Sequence, residues 1–385
     1  MTENSLNFIA WALIAGSAVG CLYLAASVWA VRRFLASPLR YSGPARPVSI
    51  LKPLCGEDAD LEANLRSLCT QEHPQAQVVF GVREASDGAV AVVRRLMAEF
   101  PAADLTLIVD GRRRGGNLKV ANLRNMLPAA RHDVLVIADS DMRVGPGYLT
   151  EVTGPLADPA VGLVTCLYRG VCAGGLWSRL ACLHVNHGFL PGAAVGEAFG
   201  AGAGCFGATI ALRRNMLERI GGFAAIADDL ADDYALGAAV RRCGGRIEVS
   251  RHLVDNVIVE PSFSALFRHE LRWARTIRQV APLGFMGSIV TQPVALAFLA
   301  LCLGALPVAA PAAFLMALFW RIATVRFVDR ALDLPPTPLW LVPVRDLLSF
   351  GVFVASFFAR RVAWRDTIFK VDPKGRLSFD GDSPV

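Results

Sequence analysis

The stretch Val134-Leu-Val-Ile-Ala-Asp-Ser-Asp141 joins five apolar residues to two carboxylates that are one residue apart. A strand that is apolar on both faces must be buried on both faces, as in a sheet covered by helices. Ligands of open α/β sheets bind beyond the carboxyl ends of such strands. Because Asp139 and Asp141 would repel each other, their spacing favours a divalent cation held against phosphate oxygens. Taken alone, an exposed Asp-Ser-Asp turn explains the pattern equally well.

Short apolar segments alternate with helical patterns on both sides of this stretch. The predicted strands cover residues 47–53, 77–82, 105–109, 134–138, 161–166, 208–212 and 246–250, and the predicted helices cover residues 60–69, 88–99, 119–130, 177–186 and 213–220, with a further helix that ends at 242. Strands separated by helices indicate a parallel sheet with right-handed βαβ connections. The predicted fold class is therefore α/β.

Apolar segments at both ends of the chain indicate a membrane protein. Over the 385 residues, 54% are hydrophobic, and the mean hydropathy is +0.43. Residues 8–31 carry no charge, exceed the roughly 20 residues needed for one crossing, and are followed by Arg32 and Arg33. Because the charges follow the apolar run, we predict a permanent anchor in residues 1–35 and not a cleaved signal peptide.

A second apolar region covers residues 285–360 and predicts two to three membrane helices. The best candidates are residues 289–310 and 339–358, which leaves 314–330 as an interfacial helix or one arm of a hairpin. The basic residues Arg360, Arg361, Arg365 and Lys370 are expected to return residues 361–385 to the cytoplasm.

Cysteine spacing and net charge exclude several classes of function. The nine cysteines form no CxxC pair and no zinc-ligand spacing, which indicates reduced thiols. The net charge of +6 is modest, and the basic residues are not interleaved with aromatic ones, so we expect no nucleic-acid partner. A dinucleotide-binding GxGxxG motif is missing after the first predicted strand, which disfavours a dehydrogenase.

Four further motifs contain charged residues beside apolar segments. The basic loop from Gly111 to Lys119 is either solvated or a phosphate-facing loop that aims Asn117 and Lys119 into the site. Asp228 and Asp229 are interpreted as helix-capping residues. Asp232 and Asp233 are functional candidates, because the motif His269-Glu-Leu-Arg-Trp273 follows: Arg272 offers a forked cation to a pyrophosphate, and Trp273 suits a membrane surface.

In combination, the three motifs Asp139-Ser-Asp141, Ala231-Asp-Asp-Tyr234 and His269–Trp273 resemble inverting glycosyltransferases of the ceramide glucosyltransferase-like group. Residues 48–54 and 117–123 extend the resemblance. Within this group, residues 161–170, 175–180 and 268–278 are more similar to the hopanoid-biosynthesis enzymes, which transfer N-acetylglucosamine to bacteriohopanetetrol. The resemblance implies a Rossmann-like GT-A domain in the cytoplasm over residues 45–280, with one N-terminal and two to three C-terminal membrane helices.

The resemblance also implies roles for individual residues. Asp233 would be the general base, with Asp232 beside it as a second catalytic residue that raises its pKa or only caps the helix. Asp141 would bind Mg²⁺ or Mn²⁺. The implied substrate-binding residues are Leu54, Glu84, Asn117, Lys119, Asp139, His269, Arg272 and Trp273. The family's first aspartate aligns with Glu84 or, alternatively, with Asp87, and His269 replaces the family's Gln or Arg.

We therefore expect a multi-pass enzyme of a bacterial-type inner membrane. It would move a sugar from UDP-N-acetylglucosamine or UDP-glucose to a lipid hydroxyl, with a hopanoid as the first candidate acceptor and ceramide as the second. His184 and His187 lie in the expected acceptor segment, where a structural role is the alternative. A processive polysaccharide synthase would need more membrane crossings. A membrane protein that only binds nucleotide sugar would need no base, whereas Asp233 is present.

Overall fold

The computed structural model describes residues 2–37, 45–57, 60–200, 204–358, 362–364, 367–371 and 377–379. It contains two compact units. The helical unit consists of Met1–Ala36, Leu176–Phe199 and Glu260–Arg360, and the sheet unit consists of Ser37–Gly175, Gly200–Val259 and Arg361–Val385. Of the basic tail predicted to return to the cytoplasm, Arg360, Arg361 and Arg365 lie outside the described residues.

The helices and strands are numbered in chain order. The helices are α1 Glu3–Ala36, α2 Leu61–Cys69, α3 Gly88–Glu99, α4 Leu118–Met126, α5 Tyr148–Thr153, α6 Leu176–His184, α7 Leu190–Ala198, α8 Arg214–Arg219, α9 Asp232–Arg242, α10 Phe263–Val280, α11 Pro282–Gly287, α12 Pro293–Cys302, α13 Ala309–Ala331 and α14 Leu341–Ser356. The strands are β1 Val48–Pro53, β2 Ala76–Val82, β3 Asp104–Val109, β4 Val134–Ala138, β5 Met142–Arg143, β6 Val161–Cys172, β7 Thr209–Arg213, β8 Arg246–Ile258, β9 Val362–Trp364, β10 Thr367–Val371 and β11 Leu377–Phe379.

The sheet unit is built on a mixed sheet with the strand order β3-β2-β1-β4-β7-β6-β8-β5. Strands β1 to β4 are parallel, as predicted. Strand β7, which follows the Asp-Ser-Asp turn along the chain, runs antiparallel to both β4 and β6, so the sheet is mixed. The apolar pattern of a strand predicts its burial but not its direction, so the sequence contained no signal for this reversal.

Strand β4 is buried on both faces, as its sequence predicts. Val134 and Val136 pack into the core on one face, together with β1 and helices α2 and α3. Leu135 and Ile137 pack into the core on the other face, together with α4 and α9. Leu51 of β1 pairs with Ile137, so the carboxyl ends of these two parallel strands lie side by side. This register places Lys52 beside the Asp-Ser-Asp turn that follows β4.

Strands β6 and β8 are longer than predicted. The sequence indicated strands that end at 166 and 250, whereas the structure extends them to Cys172 and Ile258. The two strands pair in parallel, with an irregular register between Cys166 and Tyr168. The extension of β8 has a consequence for the site, because it brings Asn256 opposite Met142 at the edge of the sheet.

Within the described residues, two helices of the helical unit are long and apolar enough to cross a membrane. They are α1, with 34 residues, and α13, with 23 residues. A third candidate is the segment Pro282–Thr291 followed by Pro293–Cys302, which bends by 68°. Together with α13 it gives two C-terminal candidates, the lower end of the predicted range. Gly20 of α1 packs closely against this segment, because a Cβ on Gly20 would lie 2.5 Å from the carbonyl oxygen of Val290.

The structure shows where the helices of the C-terminal region begin and end. Residues 289–310 do not form one straight span, because the helix breaks before Pro293 and α12 ends at Cys302. Residues 314–330 lie within α13, which is long and apolar enough to cross a membrane; of the two predicted alternatives, this length and composition favour one arm of a hairpin over an interfacial helix. Residues 339–358 contain α14, whose 16 residues are short for a crossing. Hydropathy alone could not reveal the break before Pro293.

Candidate functional site

A buried lysine forms hydrogen bonds to the backbone of the Asp139-Ser140-Asp141 turn. Lys52 is fully buried, and its Nζ donates hydrogen bonds to the carbonyl oxygens of Asp139 and Met142, the latter at 3.2 Å. Burial lowers the pKa of Lys52 to about 8, although the carboxylates of Asp141 and Asp139 act to raise it. Lys52 therefore fixes the backbone on both sides of Asp141.

Asp141 is anchored to strand β8. Its Oδ2 accepts a hydrogen bond from Asn256 Nδ2 at 2.7 Å, and its carbonyl oxygen accepts one from the Val257 amide at 2.9 Å. Burial, followed by repulsion from Asp139, raises the pKa of Asp141, and the nearby Lys52 offsets this only in part. A further positive charge at this carboxylate would stabilise its ionised form.

Lys119 joins the Asp-Ser-Asp turn to the acidic pair at the start of α9. Its Nζ lies 2.6 Å from Asp139 Oδ1 and 3.1 Å from Asp232 Oδ2. Burial acts to lower the pKa of Lys119, but Asp139 and Asp232 outweigh burial and raise it above its ordinary value. Lys119 therefore remains a cation that connects two of the sequence motifs in one cluster.

Asp233 lies on the other side of a narrow gap from Asp139. Its Oδ2 accepts a hydrogen bond from the Gly207 amide at 3.0 Å, and its Oδ1 accepts one from the Tyr234 amide at 2.7 Å. A Cβ on Gly207 would lie 3.2 Å from Asp233 Oδ2 and 3.5 Å from Asp139 Oδ2, so a side chain there would crowd both carboxylates. Burial, with the help of Asp232, raises the pKa of Asp233 to about 6.

The carboxylates of this cluster fit a divalent cation that also binds a diphosphate. Such a cation takes one or two carboxylates from the protein, because phosphate oxygens and waters complete its coordination. Within the part of the chain that the structure describes, no group of three or more His, Cys, Asp or Glu side chains could hold a metal ion by itself. Asp141, with its raised pKa, and the adjacent Asp139 meet the smaller requirement.

Asn117 and Asp228 make structural contacts that differ from their predicted roles. Asn117 caps α4 by accepting from the amides of Lys119 and Val120, and its Nδ2 donates to the Asp229 carbonyl oxygen at 2.8 Å, so its side chain is not aimed into the carboxylate cluster. Asp228 does not cap a helix: its Oδ1 accepts from the Gly116 amide at 2.8 Å, and α9 begins only at Asp232.

The predicted nucleotide-base residues lie beyond β1 and β2. Leu54 is buried, and its amide donates to the Gly81 carbonyl oxygen at 2.8 Å. Glu84 is exposed after β2. Asp87, the alternative to Glu84, caps α3 through the Ala89 amide and also accepts from the Gly56 amide. Of the two, Glu84 has the side chain that is accessible to a ligand.

The remaining predicted residues belong to the helical unit. His269 Nδ1 lies 2.7 Å from Glu260 Oε1, and the His269 ring meets the Trp273 ring edge-on at 4.3 Å between centroids. Arg272 lies on the same helix, α10. His184 stacks on Trp273 at 6.3 Å. His187 is buried, with Nε2 3.1 Å from Asp329 Oδ1, as a structural histidine would be.

Sequence reasoning missed three residues of the cluster, namely Lys52, Gly207 and Asn256. Lys52 had a detectable signal, since a lysine within the apolar strand Val48–Pro53 requires buried partners. Gly207 is one of five glycines between positions 196 and 207, and the sequence does not single it out. Asn256 lies 115 positions after Asp141, and nothing in the local pattern connects the two.

We expect Lys52→Met to weaken binding of the expected nucleotide-sugar donor by more than its effect on stability explains. Loss of the ammonium group frees two buried carbonyl oxygens, costs on the order of 1–3 kcal/mol and loosens the Asp-Ser-Asp turn. The donor KM should rise about tenfold. Ser49→Ala is the matched control, because Ser49 of β1 is also buried but bonds to Gln77 Oε1, at 2.7 Å. Equal donor KM values for the two variants at similar thermal stability would contradict this role of Lys52.

Comparison with known proteins agrees with this architecture. Residues 12–377 match the model of the family described as Glycosyl transferase family 21. Ceramide glucosyltransferase 1 of Caenorhabditis elegans is 24% identical over 349 residues, which cover 87% of this chain and 74% of that protein. Ceramide glucosyltransferase 3 of the same organism is 24% identical over 233 residues, which cover 59% of this chain and 50% of that protein.

A solved structure supports the fold. The mannosyltransferase PcManGT from Pyrobaculum calidifontis, solved with GDP-Man and Mn²⁺, is 22% identical, with a TM-score of 0.54 over 92% of this chain and 99% of that chain. This likeness shows a Rossmann-like fold of GT-A type, as predicted. With the family match over nearly the whole length, the chain belongs to glycosyl transferase family 21 and is a glycosyltransferase.

Proposed function

We propose that the protein transfers a hexose from a UDP-sugar to the hydroxyl group of a ceramide-type membrane lipid. The observation that carries the proposal is the Asp233 carboxylate. It has a pKa of about 6 and lies close to Asp139, on the other side of the narrow gap at Gly207. A general base beside a diphosphate site is what glycosyl transfer to a hydroxyl requires. The two relatives named ceramide glucosyltransferases support a lipid acceptor, and the apolar helices α1 and α13 support a location at the membrane.

The donor diphosphate would bind at the Asp-Ser-Asp turn. Asp141, with Asp139, would hold Mg²⁺ or Mn²⁺, which supplies positive charge to the diphosphate leaving group. Leu54 and Glu84 would border the uridine. Lys119 would keep Asp139 in place through the ion pair at 2.6 Å.

Asp233 would remove the proton from the acceptor hydroxyl. The acceptor oxygen would then attack the anomeric carbon while the bond from that carbon to UDP breaks on the opposite side, which inverts the configuration. Asp232 would tune the base, since it raises the pKa of Asp233. Arg272 would stabilise the departing diphosphate, with His269 and Trp273 as the neighbouring substrate-binding residues.

We expect turnover to fall in acid with the titration of Asp233. Its pKa is raised to about 6, so below that pH the carboxyl group is increasingly protonated and cannot accept a proton. The logarithm of kcat should approach a slope of one per pH unit there. In Asp232→Asn the fall should begin at lower pH, because the like charge that raises the pKa of Asp233 is removed. A pH–rate profile of both proteins checks this, and profiles that coincide would contradict it.

A labelling experiment distinguishes ceramide from a hopanoid as the acceptor. The relatives favour ceramide, whereas residues 161–170 and 268–278 suggested a hopanoid. Membranes that contain the protein are incubated with radiolabelled UDP-glucose or UDP-N-acetylglucosamine and with ceramide or bacteriohopanetetrol, and labelled lipids are identified by mass spectrometry. Labelled glucosylceramide that is absent with Asp233→Asn is the expected result. Labelled hopanoid alone would replace the ceramide assignment, and no labelled lipid in any arm would contradict both proposed acceptors.

We further propose a multi-pass protein of a bacterial-type inner membrane, with the sheet unit in the cytoplasm. Arg32 and Arg33 follow the apolar part of α1 and favour a cytoplasmic carboxyl end. The basic tail should then lie on the same side. Protease protection in oriented vesicles tests this, and cleavage near Arg46 and near Arg365 from opposite sides of the membrane would contradict it.

A further inference from the structure

Helix α14 carries two adjacent charged residues that pair with different helices. Asp346 accepts from Arg321 of α13, with Nε and Nη2 2.9–3.0 Å from the carboxylate. Arg345 donates from Nη1 and Nη2 to the two oxygens of Glu270 on α10, both at 2.7 Å. Arg345 and Glu270 are almost completely buried, at 2% and 4% of their exposed areas. Helix α14 therefore connects a candidate membrane helix to the helix of the His269–Trp273 motif.

Arg345 also contacts helix α6. Its Nη1 donates to the Leu180 carbonyl oxygen at 3.3 Å. The Trp273 ring has two neighbouring rings, that of His184 on α6 at 6.3 Å and that of His269 on α10 at 4.3 Å between centroids. One guanidinium group thus bonds to both helices that form this ring cluster.

The energetics favour an orienting role for the pair. Removing two charges from water costs several kcal/mol per ion, and buried ion pairs are often replaced by apolar residues without loss of stability. A two-pronged bond between guanidinium and carboxylate, however, fixes the angle between its partners. Glu270 and Trp273 are three positions apart on α10 and lie on neighbouring parts of one helix face. The rotation of α10 that Glu270 adopts therefore also sets the direction of Trp273.

We propose that Arg345 is a positioning residue for the transfer reaction, which acts through Glu270 to orient the His269–Trp273 motif. Helix α14 then helps to orient the motif and is not only an element of the membrane region. The proposal rests on the proposed function, in which Arg272 stabilises the leaving diphosphate and Trp273 is a neighbouring substrate-binding residue.

The test replaces the whole pair with apolar residues in the full-length protein, as Glu270→Met with Arg345→Met, so that no unpaired charge is left buried. Arg321→Met with Asp346→Leu is the matched control, because it removes the other buried pair of α14 without touching α10. We expect the first double variant to lower kcat at least tenfold, with the KM for the UDP-sugar within about threefold of the wild type. The control should keep kcat within about threefold. Arg345→Lys, which keeps the charge but not the fork, should give an intermediate kcat.

Hydrogen exchange provides a measurement that does not depend on the substrates. Amides of α6 and α10 should exchange faster in the Glu270/Arg345 variant than in the control at matched thermal unfolding temperature. A wild-type kcat in that variant, or an equal loss of kcat in the control, would overturn the proposal, and so would unchanged exchange in α6 and α10. If the wild-type protein transfers no hexose to lipid, the proposed function fails, whereas the exchange comparison still decides whether the pair orients α10.

Discussion

Replacing Asp233 with asparagine should leave donor binding nearly intact and lower turnover by on the order of 10²-fold or more, the usual scale for losing a general base. An asparagine oxygen can still accept the hydrogen bond from the Gly207 amide, at 3.0 Å in the wild type, so the local geometry should survive. The substituted amide cannot take a proton from the acceptor hydroxyl. Measurement of kcat together with UDP affinity by calorimetry separates the two effects.

Asp232→Asn is the control for this experiment. Asp232 pairs with Lys119 at 3.1 Å and does not bond to the Gly207 amide, so its loss should reduce turnover less. An active Asp233 variant beside an inactive Asp232 variant would show that the two carboxylates have exchanged roles. Full activity in both variants would contradict the mechanism.

Asp141→Asn should weaken metal-dependent binding of UDP by on the order of 10-fold or more, because a hard cation held by few carboxylates loses one charged ligand. The measurement is UDP affinity with and without Mn²⁺ or Mg²⁺. Asp133→Asn is the matched control, since Asp133 is exposed and immediately precedes β4, at the end opposite the turn. If the metal increases UDP affinity equally in the wild type and the Asp141 variant, Asp141 is not the metal ligand.

The sequence predicted the first half of the sheet well, for identifiable reasons. Strands β1 to β4 are short apolar runs between clear turn residues, and helix α3 matches its predicted bounds, 88–99. The direction of β7 could not be predicted, because it depends on pairing with β4 and β6 and not on its own residues. The length of β8 was missed because polar residues interrupt its apolar pattern after Ser250.

In the site, too, local patterns could be predicted from the sequence, whereas long-range contacts could not. Carboxylates at the end of an apolar strand, as in Asp139 and Asp141, or at the start of a helix, as in Asp232 and Asp233, were visible in the sequence. Their connection through Lys119 was not, because it depends on long-range packing. Asn117 was assigned to the site because it lies in the basic loop Gly111–Lys119. In the structure its side chain caps α4 instead, because the first amides of a helix have no partner within the helix.

The anomeric configuration of the glycolipid product tests the central claim most directly. A single displacement assisted by Asp233 must invert the configuration, so an α-linked UDP-hexose should yield a β-linked lipid, visible in the NMR coupling constant of the anomeric proton. A β-glycoside from the wild-type protein, with none from Asp233→Asn, is the predicted result. An α-glycoside would contradict the account, because retention cannot arise from one attack by the lipid hydroxyl.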